Sequence, residues 1–166
     1  EPIETRVFGR LLRSGDVVLD VGANIGWYTT LAAKLVGSGR VYAFEPVEKV
    51  AVELEKNVRL NGFTNVIVEQ IALCDRWGTD HFWFATDNWG LSSLKQDRSI
   101  KTKAVTVKVN TLDHWATENH LEDVTFLKCD VEGAEILFIK GASVTLRKLK
   151  PFLMIEICPS HLANFG

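Results

Sequence analysis

Lys128, Asp130 and Glu132 alternate with other residues at the end of an apolar segment that is predicted to be a strand. If the backbone stays extended, the three side chains point the same way. Burial raises a carboxylate pKa and lowers a lysine pKa, whereas close opposite charges return both groups toward ionisation. The pattern therefore indicates a site that binds a substrate hydroxyl and removes its proton. Asp130 or Glu132 would accept the proton or anchor the hydroxyl, and Lys128 would orient that carboxylate.

A purely structural interpretation of the same residues also stands. In it, Lys128 pairs with Glu156 on a neighbouring strand. Asp130, Glu132 and Glu135 then cap the helix that follows. We favour the structural role for Glu135 and the functional role for Asp130.

Residues 20–26, with the sequence DVGANIG, join a predicted strand to a predicted helix. At such a junction, backbone N–H groups and the helix dipole bind a carboxylate or a phosphate, and the glycines let a ligand approach the backbone. A dinucleotide-binding loop has the pattern GxGxxG, but Asn24 replaces its middle glycine and Trp27 stands where the last is expected. The loop therefore argues against a nicotinamide cofactor.

Glu45 ends the next predicted strand, where its carboxylate can accept both hydroxyls of an adenosine ribose and would repel a 2′-phosphate. The alternative is that Gly22 and Gly26 only form a tight turn and that Glu45 caps the following helix. Because these residues occupy the corresponding places of one strand-helix-strand unit, their combination favours a nucleoside cofactor.

Alternating apolar strands and amphipathic helices must position these groups. We predict strands over residues 16–21, 40–45, 65–73, 124–129 and 152–157, and helices over 3–12, 25–36, 46–60, 111–119 and 134–140. This order implies parallel pairing through right-handed crossovers. The expected fold class is α/β, with a mostly parallel, twisted sheet that has helices on both faces and binds ligands at the carboxyl ends of its strands.

The alternation breaks after the third predicted strand. Residues 80–85 and 104–109 have strand patterns and flank a polar loop at 86–103, so we predict a hairpin-like insertion between the third and fourth core strands. Trp83 and Trp89 in this region would either stack on a sugar ring or exclude water as part of a lid, but packing is the interpretation that we favour.

Composition excludes several classes of function. The 166 residues are 46% hydrophobic, so we expect one domain over residues 1–166 with a single core. The net charge of -2 and the absence of a Lys/Arg block argue against a nucleic-acid partner. With no apolar run near about 20 residues and no leader pattern, we expect a cytoplasmic protein without a membrane partner. Neither a disulfide nor a metal site is predicted. The three cysteines, Cys74, Cys129 and Cys158, are far apart and form no CxxC pair, and three of the four histidines, His81, His114 and His120, fit no metal-binding spacing.

A set of motifs extends over nearly the whole chain. In order, they are VVLDVGANIG, GRVYAFEP, NVRLNG, IALCD, GLSSL, VNTLD, LKCDVEGAE and PFLMIEI. In combination they resemble the FkbM family of class I, S-adenosylmethionine-dependent methyltransferases, which have a Rossmann-like fold.

The resemblance implies S-adenosylmethionine as the methyl donor and a hydroxyl of a sugar, a glycan or a secondary metabolite as the acceptor. It also implies roles for matching positions of this sequence. The methionine end would be held by Asp20, Gly22, Asn24 and Gly26. Glu45 would take the ribose hydroxyls, with Pro46 and residues 70–72, including Ala72, bordering the adenine.

Two features depart from the family pattern. Cys129 stands where the family usually has an aliphatic residue, a neutral exchange in a buried strand. The sequence ends soon after the fifth predicted core strand and begins without Met, so we expect a minimal member or a chain truncated at one or both ends. N-methylation, a non-catalytic module that binds an adenosine ligand, and an NAD-dependent oxidoreductase remain as alternatives, the last least favoured.

Overall fold

The computed structural model describes residues 2–94 and 101–157. In these residues the strands are β1 (Val17–Val21), β2 (Arg40–Phe44), β3 (Val66–Glu69), β4 (Ala72–Leu73), β5 (Gly78–Ala85), β6 (Thr102–Asn110), β7 (Phe126–Cys129) and β8 (Phe152–Ile155). The α-helices are α1 (Pro2–Leu11), α2 (Trp27–Val36), α3 (Glu48–Leu60), α4 (Leu112–Glu118), α5 (Glu135–Gly141) and α6 (Ser143–Leu149).

Five parallel strands form the main sheet, in the order β3-β2-β1-β7-β8. Val21, the last residue of β1, pairs with Phe44 at the end of β2 and with Cys129 at the end of β7. The carboxyl ends of the three central strands are therefore aligned at one edge. The predicted α/β fold with a mostly parallel sheet is confirmed.

Helices cover both faces of this sheet, which explains the unbroken apolar run in β1. Successive side chains of a strand point to opposite faces. Leu19 and Val21 pack in one core cluster with α4 and α5, whereas Val18 packs in a second cluster with α1 and α2. Asp20 is the polar exception within this strand, and it lies on the Val18 side of the sheet.

The predicted third strand, residues 65–73, is wrong as a single element. The chain turns after Glu69, whose carbonyl accepts a hydrogen bond from the Ile71 N–H at 2.9 Å. Ala72 and Leu73 then leave the main sheet and pair in parallel with β6. The hairpin is present as predicted, with β5 antiparallel to β6. Together these strands form a second sheet in the order β4-β6-β5.

Helix α6 was not predicted, because its start is determined by a distant side chain. Asp113 of α4 accepts hydrogen bonds from the backbone N–H groups of Val144 and Thr145, at 3.0 and 2.7 Å. A carboxylate at a helix N-terminus satisfies unpaired donors and complements the helix dipole. None of the helices in the described ranges has the length and apolar character needed to cross a membrane.

Candidate functional site

A cavity of about 650 Å³ opens at the carboxyl ends of the central strands β1, β2 and β7. Its volume is typical of sites for cofactors and small ligands. Eight of the predicted site residues line it: Gly22, Asn24, Glu45, Pro46, Ala72, Lys128, Asp130 and Glu132. The structure thus brings two segments to one cavity: residues 20–26, which we name the cofactor loop after its predicted role, and residues 130–132, the charged segment after β7. Asp20 and Gly26 do not line it.

Asp20 lies behind the cavity wall, with only 1% of its surface exposed. Its Oδ2 accepts a hydrogen bond from Thr29 Oγ1 at 2.6 Å, whereas its Oδ1 has no hydrogen-bond partner. Burial raises the pKa of this carboxyl. Asp20 is also the register partner of Lys128 on β7. Its position supports α2 and the charge of Lys128, and the predicted contact with the methionine end stays a prediction.

Glycines allow the cofactor loop to approach its neighbours closely. A Cβ on Gly22, where φ is +80°, would lie 1.8 Å from the carbonyl oxygen of Asp130. A Cβ on Gly26 would lie 2.3 Å from Leu54 Cδ1. Gly22 therefore brings the loop against the segment after β7, and Gly26 seats the start of α2 against α3. Asn24 between them adopts a left-handed backbone with φ of 49°.

Glu45 links the cofactor loop to the segment that leads into α3. Its carboxylate accepts hydrogen bonds from the N–H groups of Asn24 at 3.1 Å and Val47 at 2.9 Å. The side chain lines the cavity although the residue is only 7% exposed, and this burial raises its pKa to about 7. Of the two roles that the sequence offered, the structure shows no side-chain cap on α3, because the bond from Val47 comes from the N–H of the residue that precedes the helix. Recognition of ribose hydroxyls stays a prediction. Asn24 also carries an Oδ1 without a hydrogen-bond partner.

Lys128, which is buried, forms an ion pair with the partly exposed Asp130 in the cavity wall. Its Nζ lies 3.0 Å from Asp130 Oδ2 and 4.6 Å from the centre of the Tyr28 ring. Burial lowers the pKa of the Lys128 ammonium, but the carboxylates of Asp20 and Asp130 outweigh burial and leave the pKa raised. This lysine therefore stays charged, and it fixes one Asp130 oxygen, as the spacing predicted.

Glu132 reaches the cavity by a different backbone path from the predicted one. Its φ is +52°, so the strand does not continue through this residue and the expected extended backbone is wrong. The turn nevertheless leaves Glu132 in the cavity wall beside Asp130. Burial raises the Glu132 pKa to about 7, with further contributions from the carboxylates of Asp130, Glu156 and Glu135.

Glu135 has the structural role that the sequence favoured. Its Oε1 accepts a hydrogen bond from the N–H of Gly133 at 3.0 Å, closing the turn before α5. The residue is 3% exposed and does not line the cavity. It therefore contributes negative charge near Glu132 without touching a ligand there.

The insertion contacts this charged segment directly. Ser93 Oγ donates a hydrogen bond to the carbonyl oxygen of Glu132 at 2.9 Å. Ser93 and Trp83 also exchange two backbone hydrogen bonds, which tie the loop to β5. Trp89 packs 6.0 Å from Phe84, consistent with the favoured packing role, and it lines the cavity as well. The loop residues 95–100 lie outside the described residues.

Trp27 is a cavity residue that the sequence analysis treated only as a missing glycine. Trp27 is the first residue of α2 and lines the cavity, although 67% of its surface is exposed to solvent. Its Nε1 donates a hydrogen bond to Thr5 Oγ1 of α1 at 3.2 Å. An anchored, exposed aromatic ring beside a cavity is a typical contact surface for a ligand. Its position immediately after residues 20–26 was the sequence feature that could have identified it as a cavity residue.

The described cysteines are free and buried at positions 74 and 129, and Cys158 lies outside the described residues. Burial raises the pKa of both thiols. Over residues 2–94 and 101–157, no three His, Cys, Asp or Glu side chains are grouped so that they could hold a metal ion.

Comparisons with known proteins identify methyltransferases as similar in sequence and in fold. The 2-O-methyltransferase NoeI of Sinorhizobium fredii is 25% identical, with 96% of this chain and 70% of that protein covered. Methyltransferase 1 of Beauveria bassiana is 26% identical, covering 86% of this chain and 65% of that protein. The crystal structure of an S-adenosylmethionine-dependent O-methyltransferase from Thermotoga maritima has the same fold, with a TM-score of 0.58 at 18% identity, covering 98% of this chain and 46% of that one.

The model of the methyltransferase FkbM domain matches residues 20–166. This range contains the cofactor loop, the insertion and the charged segment after β7. S-adenosylmethionine is the cofactor of this family. The chain belongs to the FkbM family of methyltransferases.

Proposed function

We propose that this chain transfers the methyl group of S-adenosylmethionine to a hydroxyl oxygen of a sugar, a glycan or a secondary metabolite. The observation that carries the proposal is that one cavity is lined both by Glu45 and Asn24 and by the Lys128, Asp130 and Glu132 cluster. The similarity to NoeI, named a 2-O-methyltransferase, supports oxygen as the methylated atom.

The lining residues around Glu45 and Asn24 suit S-adenosylmethionine. The buried carboxylate of Glu45 is an acceptor for the two ribose hydroxyls. Asn24 also lines the cavity, and its buried Oδ1, which lacks a hydrogen-bond partner, would accept from an ammonium group such as that of the methionine end once the side chain turns toward the cavity. Ile71 and Ala72 add apolar surface to the lining, which suits an adenine ring. The cavity lining thus offers both polar and apolar surface, which supports the proposal.

Bound S-adenosylmethionine supplies an electrophilic methyl group on a sulfonium. Methyl transfer to oxygen forms a C–O bond, breaks a C–S bond and releases the hydroxyl proton. Glu132, with a pKa of about 7, is matched to accept that proton near neutral pH. Asp130, held by Lys128 at 3.0 Å, has one fixed oxygen and anchors the hydroxyl. Catalysis then comes mostly from positioning the hydroxyl at a near-attack distance.

Calorimetric titration with S-adenosylhomocysteine tests the cofactor part. We expect binding near micromolar, about 8 kcal/mol. Glu45→Ala should weaken it about 100-fold, because two hydrogen bonds to a buried charged acceptor are lost. Glu53→Ala is the control, since Glu53 pairs with Lys56 on the exposed face of α3. NAD should not bind.

A screen of hydroxyl-bearing acceptors with labelled S-adenosylmethionine tests the transfer part. We expect label in a sugar or polyol, and Glu132→Gln should slow transfer about 100-fold through loss of the base. Tight S-adenosylhomocysteine binding without transfer to any acceptor would instead indicate a non-catalytic module. Binding of NAD in its place would contradict the methyltransferase proposal for this chain.

A further inference from the structure

Trp27 is a cavity residue to which the proposed reaction gives no task. It lines the cavity at the start of α2, and 67% of its surface is exposed. Its Nε1 donates a hydrogen bond to Thr5 Oγ1 at 3.2 Å, and Thr5 of α1 lines the cavity as well. One edge of the indole is thus fixed to a neighbouring helix, while most of the ring surface is left for contact with a ligand.

The surroundings of Trp27 connect it to β7. Helix α1, which holds the indole, packs Phe8 against Phe126 of β7 with 5.1 Å between the ring centres. Tyr28, the next residue of α2, has its ring centre 4.6 Å from Lys128 Nζ. The start of α2 therefore lies beside the strand that leads to the residues proposed to bind the acceptor hydroxyl.

The adenine of the cofactor is assigned to a different part of the lining. Ile71 and Ala72, which are proposed to border it, follow β3, and the strands β2 and β1 separate β3 from β7 in the sheet. Asp130, which is proposed to anchor the acceptor hydroxyl, follows β7 directly. The position of Trp27 therefore fits a contact with the acceptor better than a contact with the adenine.

We infer that Trp27 is the platform for the acceptor: its indole face stacks against the C–H face of a sugar ring, and this contact selects pyranosides over open-chain polyols. The inference rests on the proposed function, because it assumes that the acceptor hydroxyl reaches the carboxylates of this cavity. It narrows the acceptor to a cyclic sugar and makes Trp27 a specificity-determining residue.

The chemistry of a sugar ring suits this arrangement. Hydroxyls project from the rim of a pyranose, whereas its axial C–H bonds give a ring face an apolar, weakly positive surface. The face of an indole is the negative part of its quadrupole, so the two faces attract each other. The rim hydroxyls stay free to bond to Asp130, whose Oδ2 lies 3.0 Å from Lys128 Nζ. An open-chain polyol has no fixed face and loses more conformational entropy on binding.

Saturation-transfer-difference NMR of the whole chain, loaded with S-adenosylhomocysteine, tests the inference. The probes are the methyl pyranosides of glucose, galactose and mannose, and sorbitol is the open-chain comparison. We expect at least one pyranoside to bind, with the strongest transfer to the C–H protons of one ring face. Sorbitol should not bind.

Three variants assign the contact to Trp27. Trp27→Ala should weaken pyranoside binding about tenfold or more, because the aromatic face and the apolar area that it buries are both lost. Trp27→Phe retains an aromatic face without the bond to Thr5, so it should bind within about threefold of the parent. Trp77→Ala is the matched control, since Trp77 is 74% exposed and does not line the cavity. Affinity for S-adenosylhomocysteine, measured by calorimetry, should be unchanged in all three.

The outcomes separate this inference from the proposed function. If S-adenosylhomocysteine does not bind the folded parent chain, the proposed function fails and the inference fails with it. If it binds and no pyranoside does, or if sorbitol binds equally well, the inference alone is overturned. Full pyranoside affinity in Trp27→Ala also overturns it, and a loss of S-adenosylhomocysteine affinity there would assign the indole to the cofactor instead. Should that variant not fold, Trp27→Leu, which is apolar but has no aromatic face, decides in its place.

Discussion

Glu45 and Glu132 line opposite ends of the same cavity, and both have a pKa of about 7 although their surroundings differ. Glu45 is nearly fully buried, and its carboxylate accepts hydrogen bonds from the backbone N–H groups of Asn24 and Val47. Glu132 is half-buried and lies among the carboxylates of Asp130, Glu135 and Glu156. Burial is the main cause of the raised pKa at both positions, but backbone donors oppose it at Glu45 and neighbouring carboxylates reinforce it at Glu132.

The difference indicates different tasks. Fixed donors hold the Glu45 carboxylate in one orientation, which suits recognition of a ligand with fixed hydroxyl positions. Glu132 is surrounded by like charges, so the gain or loss of one proton changes the net charge of its end of the cavity. One end is thus suited to holding a ligand and the other to accepting a proton. The predictions below separate the two ends.

Gly22→Ala should have the largest effect, because it disrupts the contact between the two regions. The new Cβ would lie 1.8 Å from the Asp130 carbonyl, at a backbone φ of +80°. We expect a loss of more than about 4 kcal/mol in unfolding free energy, measured by urea denaturation. Gly62→Ala is a matched control, since φ there is +72° and nothing lies within 4 Å of the added Cβ. The control should lose only about 1 kcal/mol. Equal losses would show that backbone strain, and not the close approach, requires glycine at position 22.

The sequence was sufficient to predict those parts of the cavity lining that depend on local patterns. The apolar run through β1 and its repetition in the other strands predicted the sheet. The glycine loop and the polar residues at the strand ends indicated where the site lies, and the resemblance to the FkbM family added Asn24, Pro46 and Ala72 to the eight predicted residues that line the cavity. The burial of Asp20 behind the cavity wall was not foreseen, because the alternation of a strand does not reveal which polar side chain is covered; its predicted contact with the methionine end stays a prediction. Its hydrogen-bond partner, Thr29, lies nine residues later, in α2.

Non-local contacts account for what could not be predicted. After the turn at Glu69, Ala72 and Leu73 belong to a second sheet. Their placement depends on pairing with β6, more than thirty residues later in the chain. Likewise, the left-handed backbone of Glu132 is unusual for this residue type, and no local pattern indicates it. The contact of Glu132 with Ser93 joins segments whose distance in sequence hides their proximity.

Glu45→Gln should change how stability depends on pH. The folded-state pKa of Glu45, about 7, is above the value of 4.5 that the unfolded chain has. A raised carboxyl pKa means that the folded state keeps a proton that the unfolded state releases. The stabilisation is therefore complete below pH 4.5 and is lost as the pH rises through 7. For so buried a group, it amounts to about 3 kcal/mol.

Urea denaturation of the ligand-free chain at pH 5 and pH 8 measures this contribution. The parent should lose stability relative to Glu45→Gln over that interval, because the variant has no such proton to release. Glu132→Gln should show an effect of the same sign but smaller, since solvent screens a half-buried group. Equal effects for the two variants would contradict the contrast between the two ends.

Ser93→Ala should have the smallest effect on stability, yet it separates the two glutamates most sharply. Loss of the hydrogen bond from Ser93 Oγ to the Glu132 carbonyl costs about 1 kcal/mol. The insertion is then held less closely over Glu132, and its half-buried carboxylate becomes more exposed to solvent. Because burial is the main cause of its raised pKa, that pKa should fall from about 7 toward the ordinary 4.5. The pKa of Glu45, at the other end, should not change.

Carbon-13 NMR titration of glutamate carboxyls, assigned with Glu45→Gln and Glu132→Gln, follows both groups in one sample. Ser92→Ala is the matched control, since Ser92 Oγ accepts a hydrogen bond from the Ala85 N–H and does not contact the Glu132 backbone. If the Glu132 pKa stays near 7 in Ser93→Ala, the neighbouring carboxylates sustain it without help from the insertion. If instead it falls while Glu45 stays constant, the insertion controls the proton affinity of one end of the cavity alone.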